Sequence, residues 1–345
     1  MNTATEGTGE RDGHGDGRAL HEELAVVDLH ADTPKLMDVF AYDIFTRHEP
    51  PLPGARFLGH VDTPRMREGG LSAQFFGLWT FPYPRSGCAR SVMRQLDLLE
   101  RAAKARPDEF VLCKTAEDVA LAKQAGKLAA LTGIEGGHAL EGRPELVEKF
   151  ARRGVRYLGL LHLTANDLGR PAHGLGRDDS IGLSRLGKTV IEEMDRVGMI
   201  LDLAHLNRKG FFEALDVTRG VTIVSHAGAA GVHPMSRNVD DEQVRALADR
   251  GGVVGIIFAP IYLGRDGVDA VCDHIVHVMD VGGEDVPALG SDFDGMVRPP
   301  KGLEDVSRLP RLTEALLSRG LKHAQVKKIL GENVLRVLAS SPPKI

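Results

Sequence analysis

The sequence predicts an α/β protein folded as one (β/α)8, TIM-like barrel. Three observations carry that prediction: eight short apolar runs rich in β-branched residues recur along the chain, helix-like segments separate them, and titratable residues gather where the runs end. A doubly wound open sheet is the main competitor. Its usual signatures are missing, because no Gly-x-Gly-x-x-Gly opens a helix after a strand and no Gly-Lys-Ser/Thr phosphate loop occurs.

The first run, Ala25–Asp32, is bounded by a polar stretch before it and Pro34 after it, and reads as a buried strand. The remaining strands are expected at Leu71–Trp79, Lys127–Ile134, Arg156–Leu161, Met199–Leu203, Val221–Ser225, Val253–Ala259 and Val286–Gly290. Apolar residues spaced every three or four positions predict helices at Arg90–Ala105, Glu145–Arg153, Leu186–Val197, Asp241–Asp249 and Val268–Met279. Residues 1–20 are low in hydrophobicity and read as a disordered polar tail, residues 21–338 as the single catalytic domain, and 339–345 as a short C-terminal tail. The Pro-rich stretch Thr46–Gly54 reads as a loop, with His48 and His60 expected at the surface beside it.

With 345 residues, 42% of them hydrophobic, the chain can bury a large core. A net charge of -5 and a pI near 6.3 disfavour a nucleic-acid partner. The three cysteines, Cys88, Cys113 and Cys272, are too few and too scattered for a disulfide framework or a cysteine zinc cluster. No membrane-length apolar stretch or signal-peptide core is present, so a cytoplasmic protein without membrane association is expected.

The strand ends hold the chemistry. His30 and Asp32 lie two apart at the end of the first run and therefore face one side together. Glu135, His162, His205, His226 and Asp292 follow five later runs, so six of the eight strands deliver a titratable group to the mouth where barrel enzymes collect their catalytic residues. Singly, each has an ordinary reading as a structural histidine or a helix cap. Jointly they predict a metal centre. Three histidines with up to three carboxylates exceed the ligand set of one catalytic zinc and suit a bridged pair about 3.5–4 Å apart. Glu135 is the candidate bridge, and a hydroxide between the metals the candidate nucleophile.

These residues sit within His30-Ala31-Asp32, Gly133-Ile134-Glu135-Gly136-Gly137-His138, Leu201-Asp202-Leu203-Ala204-His205, Ser225-His226, Ser236-Arg237-Asn238 and Gly290-Ser291-Asp292-Phe293-Asp294-Gly295. In order and spacing the chain resembles the membrane (renal-type) dipeptidases, zinc peptidases of the M19 type, from the first strand to Leu338. The resemblance implies a metal-dependent hydrolase barrel with two zinc ions per chain, other divalent ions being possible. It places His30 and Asp32 on the first metal, Glu135 between the two, and His205 with His226 on the second. It also implies that His162 stabilises the oxyanion, that Arg237 holds the substrate's terminal carboxylate, and that Asp292 moves a proton from the bridging water to the departing amine. Asp294 and His138 stand as alternatives to Asp292 and Glu135, and a surface ion pair as the alternative for Arg237.

The activity implied is hydrolysis of free dipeptides, L-L and L-D, by a homodimer. A metal hydrolase acting on a lactam, a lactone or a modified peptide conjugate is the enzymatic alternative, and an inactive barrel serving as a binding module the non-enzymatic one. The segments Phe40–Val61, Phe81–Cys88 and Arg170–Ser180, where side-chain preference would be decided, are not placed by the resemblance.

Overall fold

A computed structural model describes residues 13–48, 56–84 and 86–345. Nine parallel strands run β1 Val26–Ala31, β2 Leu71–Leu78, β3 Phe110–Leu112, β4 Leu128–Ile134, β5 Val155–Gly159, β6 Ile200–Asp202, β7 Thr222–Ala227, β8 Val253–Ile256 and β9 Pro287–Leu289. Eight of them close into the predicted barrel. The sheet order is β2-β1-β9-β8-β7-β6-β5-β4, and closure comes from β2 pairing β4 over six residues, from Ala73 opposite Ala129 to Leu78 opposite Ile134. The ninth strand, β3, pairs only with the start of β4, Phe110 opposite Leu128.

Alternation along the strands separates two apolar layers. Val27, Leu29, Ala73, Phe75, Leu131 and Tyr157 belong to the core within the barrel, which the helices Ala116–Gln124 and Asn333–Ser340 also join. Phe76, Leu78, Ala130, Leu158 and Leu201 face the outer helices. The helix Arg185–Val197 shows how one is specified: Ser184 caps it by accepting from Gly187 N, and Val190, Ile191, Met194 and Val197 bury one stripe against the barrel.

Three expectations are corrected. Gly13–Glu23 is helical rather than part of a disordered tail, because Leu20 and Leu24 bury on the core and the buried His21 hydrogen-bonds Thr313 Oγ1 at 2.6 Å and Gly69 O at 2.8 Å. Residues 1–12 lie outside the described residues, as do 49–54 of the Pro-rich stretch. The C-terminal segment is docked: Ser341 O accepts from Arg156 Nη2, and Lys344 N donates to Val197 O at 3.1 Å. His60 is buried, not superficial, since it exchanges hydrogen bonds with Asp294 across the barrel mouth. Among the described residues no helix is long and apolar enough to cross a membrane.

Candidate metal centre

Parallel strands of a barrel all end at one mouth, and β1, β4, β6, β7 and β9 end there within a few residues of His30 and Asp32, Glu135, His205, His226 and Asp292. His162 arrives three residues beyond β5. All seven are buried.

Glu135 lies at the centre. Its Oε1 is 2.9 Å from His205 Nε2, 3.3 Å from His226 Nε2 and 3.5 Å from His162 Nε2, while its Oε2 is 3.6 Å from His30 Nε2. The two Nε2 atoms of His205 and His226 stand 3.0 Å apart, and His30 Nε2 is 3.3 Å from Asp32 Oδ1. Three overlapping groups have ligand atoms close enough to share an ion: His30, Glu135 and His226; Glu135, His162 and His205; and His30, Asp32 and Asp292. A metal fits this donor set. His30 Nε2, Asp32 Oδ1 and Glu135 Oε2 are buried without a hydrogen-bond partner among the described residues, a costly state that a cation would relieve.

The surrounding residues orient each ligand. The Tyr157 hydroxyl donates to Leu29 O at 3.1 Å, so it accepts from His30 Nδ1–H at 2.8 Å and leaves Nε2 as the atom turned to the ligand cluster. Ser225 Oγ donates to Asp202 Oδ2 at 2.6 Å and so accepts from His226 Nδ1–H at 2.9 Å, with the same result. Two glycines make room: a Cβ on Gly77 would stand 2.5 Å from Asp32 Oδ1, and one on Gly133 would stand 2.0 Å from the Tyr157 ring. The backbone contributes as well, since His205, Asp292 and Asp294 all hold the left-handed conformation, with φ of 65°, 60° and 67°.

Charge follows the same plan. Burial, reinforced for His205 by the Arg237 guanidinium and for His226 by His30, holds both imidazoles well below their usual range, neutral and ready to donate lone pairs. Burial alone would raise Glu135, but His162 and His30 hold its carboxyl well below the usual value. Burial and the Glu135 charge push Asp32 up to about 7, and burial with the Asp32 charge raises Asp292 well above an ordinary carboxylate.

The alternative residues have different surroundings. Asp294 accepts from Thr33 Oγ1 at 2.7 Å and from His60 N at 2.7 Å, so both its oxygens are engaged in tying loops together. His138 bonds Thr164 Oγ1 at 2.9 Å and stacks on Tyr83 at 4.1 Å, outside the three ligand groups. Arg237 is buried, not a surface ion-pair residue, and its Nη2 donates to His226 O at 2.8 Å. Sequence reading missed Tyr157, and also Tyr83, which bonds His162 Nδ1 at 2.5 Å. Asp202 was within a recognised motif but had no role assigned to it. Its only signal was a carboxylate inside an apolar strand.

A cavity of about 620 Å³ opens over the cluster, with Asp32, Glu135, His162, His205, His226 and Asp292 on its walls. A second cavity of about 490 Å³ shares His205 and is lined by Arg237.

A closed parallel barrel with buried imidazoles and carboxylates converging at its carboxyl mouth defines a metal-dependent hydrolase of the (β/α)8 class. The chain belongs to the membrane dipeptidase family, peptidase family M19, which it matches over residues 16–341. Dipeptidase tcpJ of Claviceps purpurea is 35% identical over 345 residues, covering 96% of this chain and 76% of its own length. Dipeptidase aclJ of Aspergillus oryzae is also 35% identical, over 314 residues, covering 85% of this chain and 71% of its own. A solved metallo peptidase from Rhodobacter sphaeroides, liganded with a phosphinate mimic of L-Ala-D-Ala, has a TM-score of 0.82 at 26% identity and covers 92% of this chain and 99% of its own. The protein is thus a hydrolase, a dipeptidase of this metallopeptidase family.

Proposed function

We propose that the chain is a binuclear zinc dipeptidase that cleaves the single peptide bond of a free dipeptide, L-L or L-D. The observation that carries this reading is Glu135, whose Oε1 faces His205 and His226 while its Oε2 faces His30, one oxygen toward each half of the ligand set. His30 and Asp32 would hold one ion, His205 and His226 the other, and Glu135 both. When bound, the pair supplies Lewis acidity and a water acidic enough to attack near neutral pH.

The chain's own groups do the rest. His162, wedged between Tyr83 and Glu135, stands where it can donate to the oxygen of the attacked carbonyl. Asp292 stands on the cavity wall within ligand reach of His30 and Asp32, placed to take a proton from the attacking water and give it to the leaving amine. Arg237 offers paired donors to the terminal carboxylate, which is what separates a dipeptidase from an endopeptidase. The Rhodobacter relative's L-Ala-D-Ala mimic supports tolerance of a D-residue at the carboxyl end. Metal analysis of the purified protein and hydrolysis of a dipeptide panel, with and without chelator, test the reading. Two zinc ions per chain and chelator-sensitive cleavage of free but not amidated dipeptides are expected; metal-independent cleavage would refute it.

A further inference from the structure

The described residues include eleven large hydrophobic side chains that are exposed, and five of them stand around one opening. Phe57 is 47% exposed, Phe81 50%, Leu163 37%, Ile261 66% and Met296 63%, and all five line the 620 Å³ cavity whose floor is the ligand cluster. They come from five separate segments, four loops and the short helix Pro260–Leu263, so no single amphipathic element accounts for them. Large apolar side chains gathered at a concave mouth leave water unfavourably ordered until a ligand covers them. The occupant must also reach the ligand cluster beneath, which makes it a substrate and not a docking partner.

Resting on the dipeptidase reading, we infer that this collar is a specificity site for a bulky apolar side chain on the substrate's amino-terminal residue. Arg237, assigned to the terminal carboxylate, lines the neighbouring cavity across His205, so the carboxyl-terminal residue points there and the amino-terminal residue faces the collar. A cavity of this size falls in the range that encloses drug-sized ligands, roughly 300–1,000 Å³. Two small residues would leave most of it, and the whole rim, uncovered. Phe57 and Phe81 belong to the segments in which the sequence places side-chain preference.

Trp79, the chain's single tryptophan, lines the same cavity and reports on its occupancy by fluorescence. Metal-loaded protein is titrated with reduced-amide analogues of Phe-Ala and Ala-Ala, which cannot be hydrolysed, and cleavage of the parent dipeptides is measured alongside. The Phe-Ala analogue is expected to bind at least about 10-fold tighter, as burial of a benzyl group implies, and that ratio is expected to fall to about 3-fold or less in Ile261→Ser with Met296→Ser. Equal affinity for the two analogues, or an unchanged ratio in the double variant, overturns the inference. So does a variant that changes only its size-exclusion elution, which would mark the rim as a contact between copies. Equal binding with cleavage of both dipeptides removes the collar and leaves the dipeptidase reading; collar-dependent binding without cleavage does the reverse.

Discussion

Tyr157 reaches His30 through the space that Gly133 leaves: the hydroxyl is 2.8 Å from His30 Nδ1, and a Cβ on Gly133 would lie 2.0 Å from the ring. A residue inside the apolar core thereby sets the tautomer of a metal ligand. Tyr157→Phe keeps the packing and removes the acceptor, so metal affinity measured by chelator competition should fall roughly 10- to 100-fold, the usual effect of losing a ligand's orienting partner. Gly133→Ala should lower both affinity and stability, because the ring must move. Unchanged affinity in Tyr157→Phe would mean that the hydroxyl does not orient His30.

Asp292→Asn should retain the bound metal while turnover falls by roughly 100-fold or more, since a positioned proton carrier contributes about 10²–10⁴. Its carboxylate also lies within ligand reach of His30 and Asp32. Metal content measured on the same preparation therefore separates the roles: loss of an ion with activity makes Asp292 a ligand, and loss of activity alone makes it the proton carrier.

Arg237→Ala should weaken dipeptides bearing a free carboxylate by about 2–5 kcal/mol, the range for breaking a buried charge pair. The variant also loses the bond to His226 O. Amidated dipeptides control for that: equal loss on free and amidated substrates would assign Arg237 to holding His226 and not to the substrate.

Acid should destabilise the fold through two histidines remote from the metal centre. His21 accepts from Thr313 Oγ1 and donates to Gly69 O; His274 accepts from Ala229 N at 2.8 Å and donates to Leu263 O at 3.2 Å. Each ring is therefore neutral in the fold, and burial lowers both pKa values below 6.5. Below that pH the unfolded chain binds protons that the folded chain does not, so stability falls as pH drops. The urea midpoint of chelated protein should be lower at pH 5.5 than at 7.5, and the drop should be smaller in His21→Gln and in His274→Gln. An equal drop in both variants would exclude these two residues as its source.

The barrel was legible because its strands are β-branched runs that keep both faces buried, a pattern little affected by what lies far away in sequence. β3 was not, being three residues long with only Phe110 fully buried. The first helix was hidden by its composition, since among the described residues its docking rests on a few scattered positions, Gly17, Leu20, His21 and Leu24. The metal ligands could be read from their places at strand ends, but their supports could not: Tyr157 is 127 residues from His30, and Asp202 and Tyr83 act through contacts that only folding creates. His60 looked superficial beside prolines, and its burial follows from a partner 234 residues away, Asp294.

The left-handed backbone at His205, Asp292 and Asp294 sets a conflict between durability and chemistry. Side chains with a Cβ lose on the order of 1–3 kcal/mol at such positions, and glycine alone escapes that loss, yet glycine carries neither an imidazole nor a carboxylate. A search for heat-resistant variants of this barrel would therefore favour glycine at His205 and Asp292, selecting survivors that hold their shape longer and no longer turn over substrate, whereas at Asp294 the lost bonds to Thr33 and His60 offset the gain.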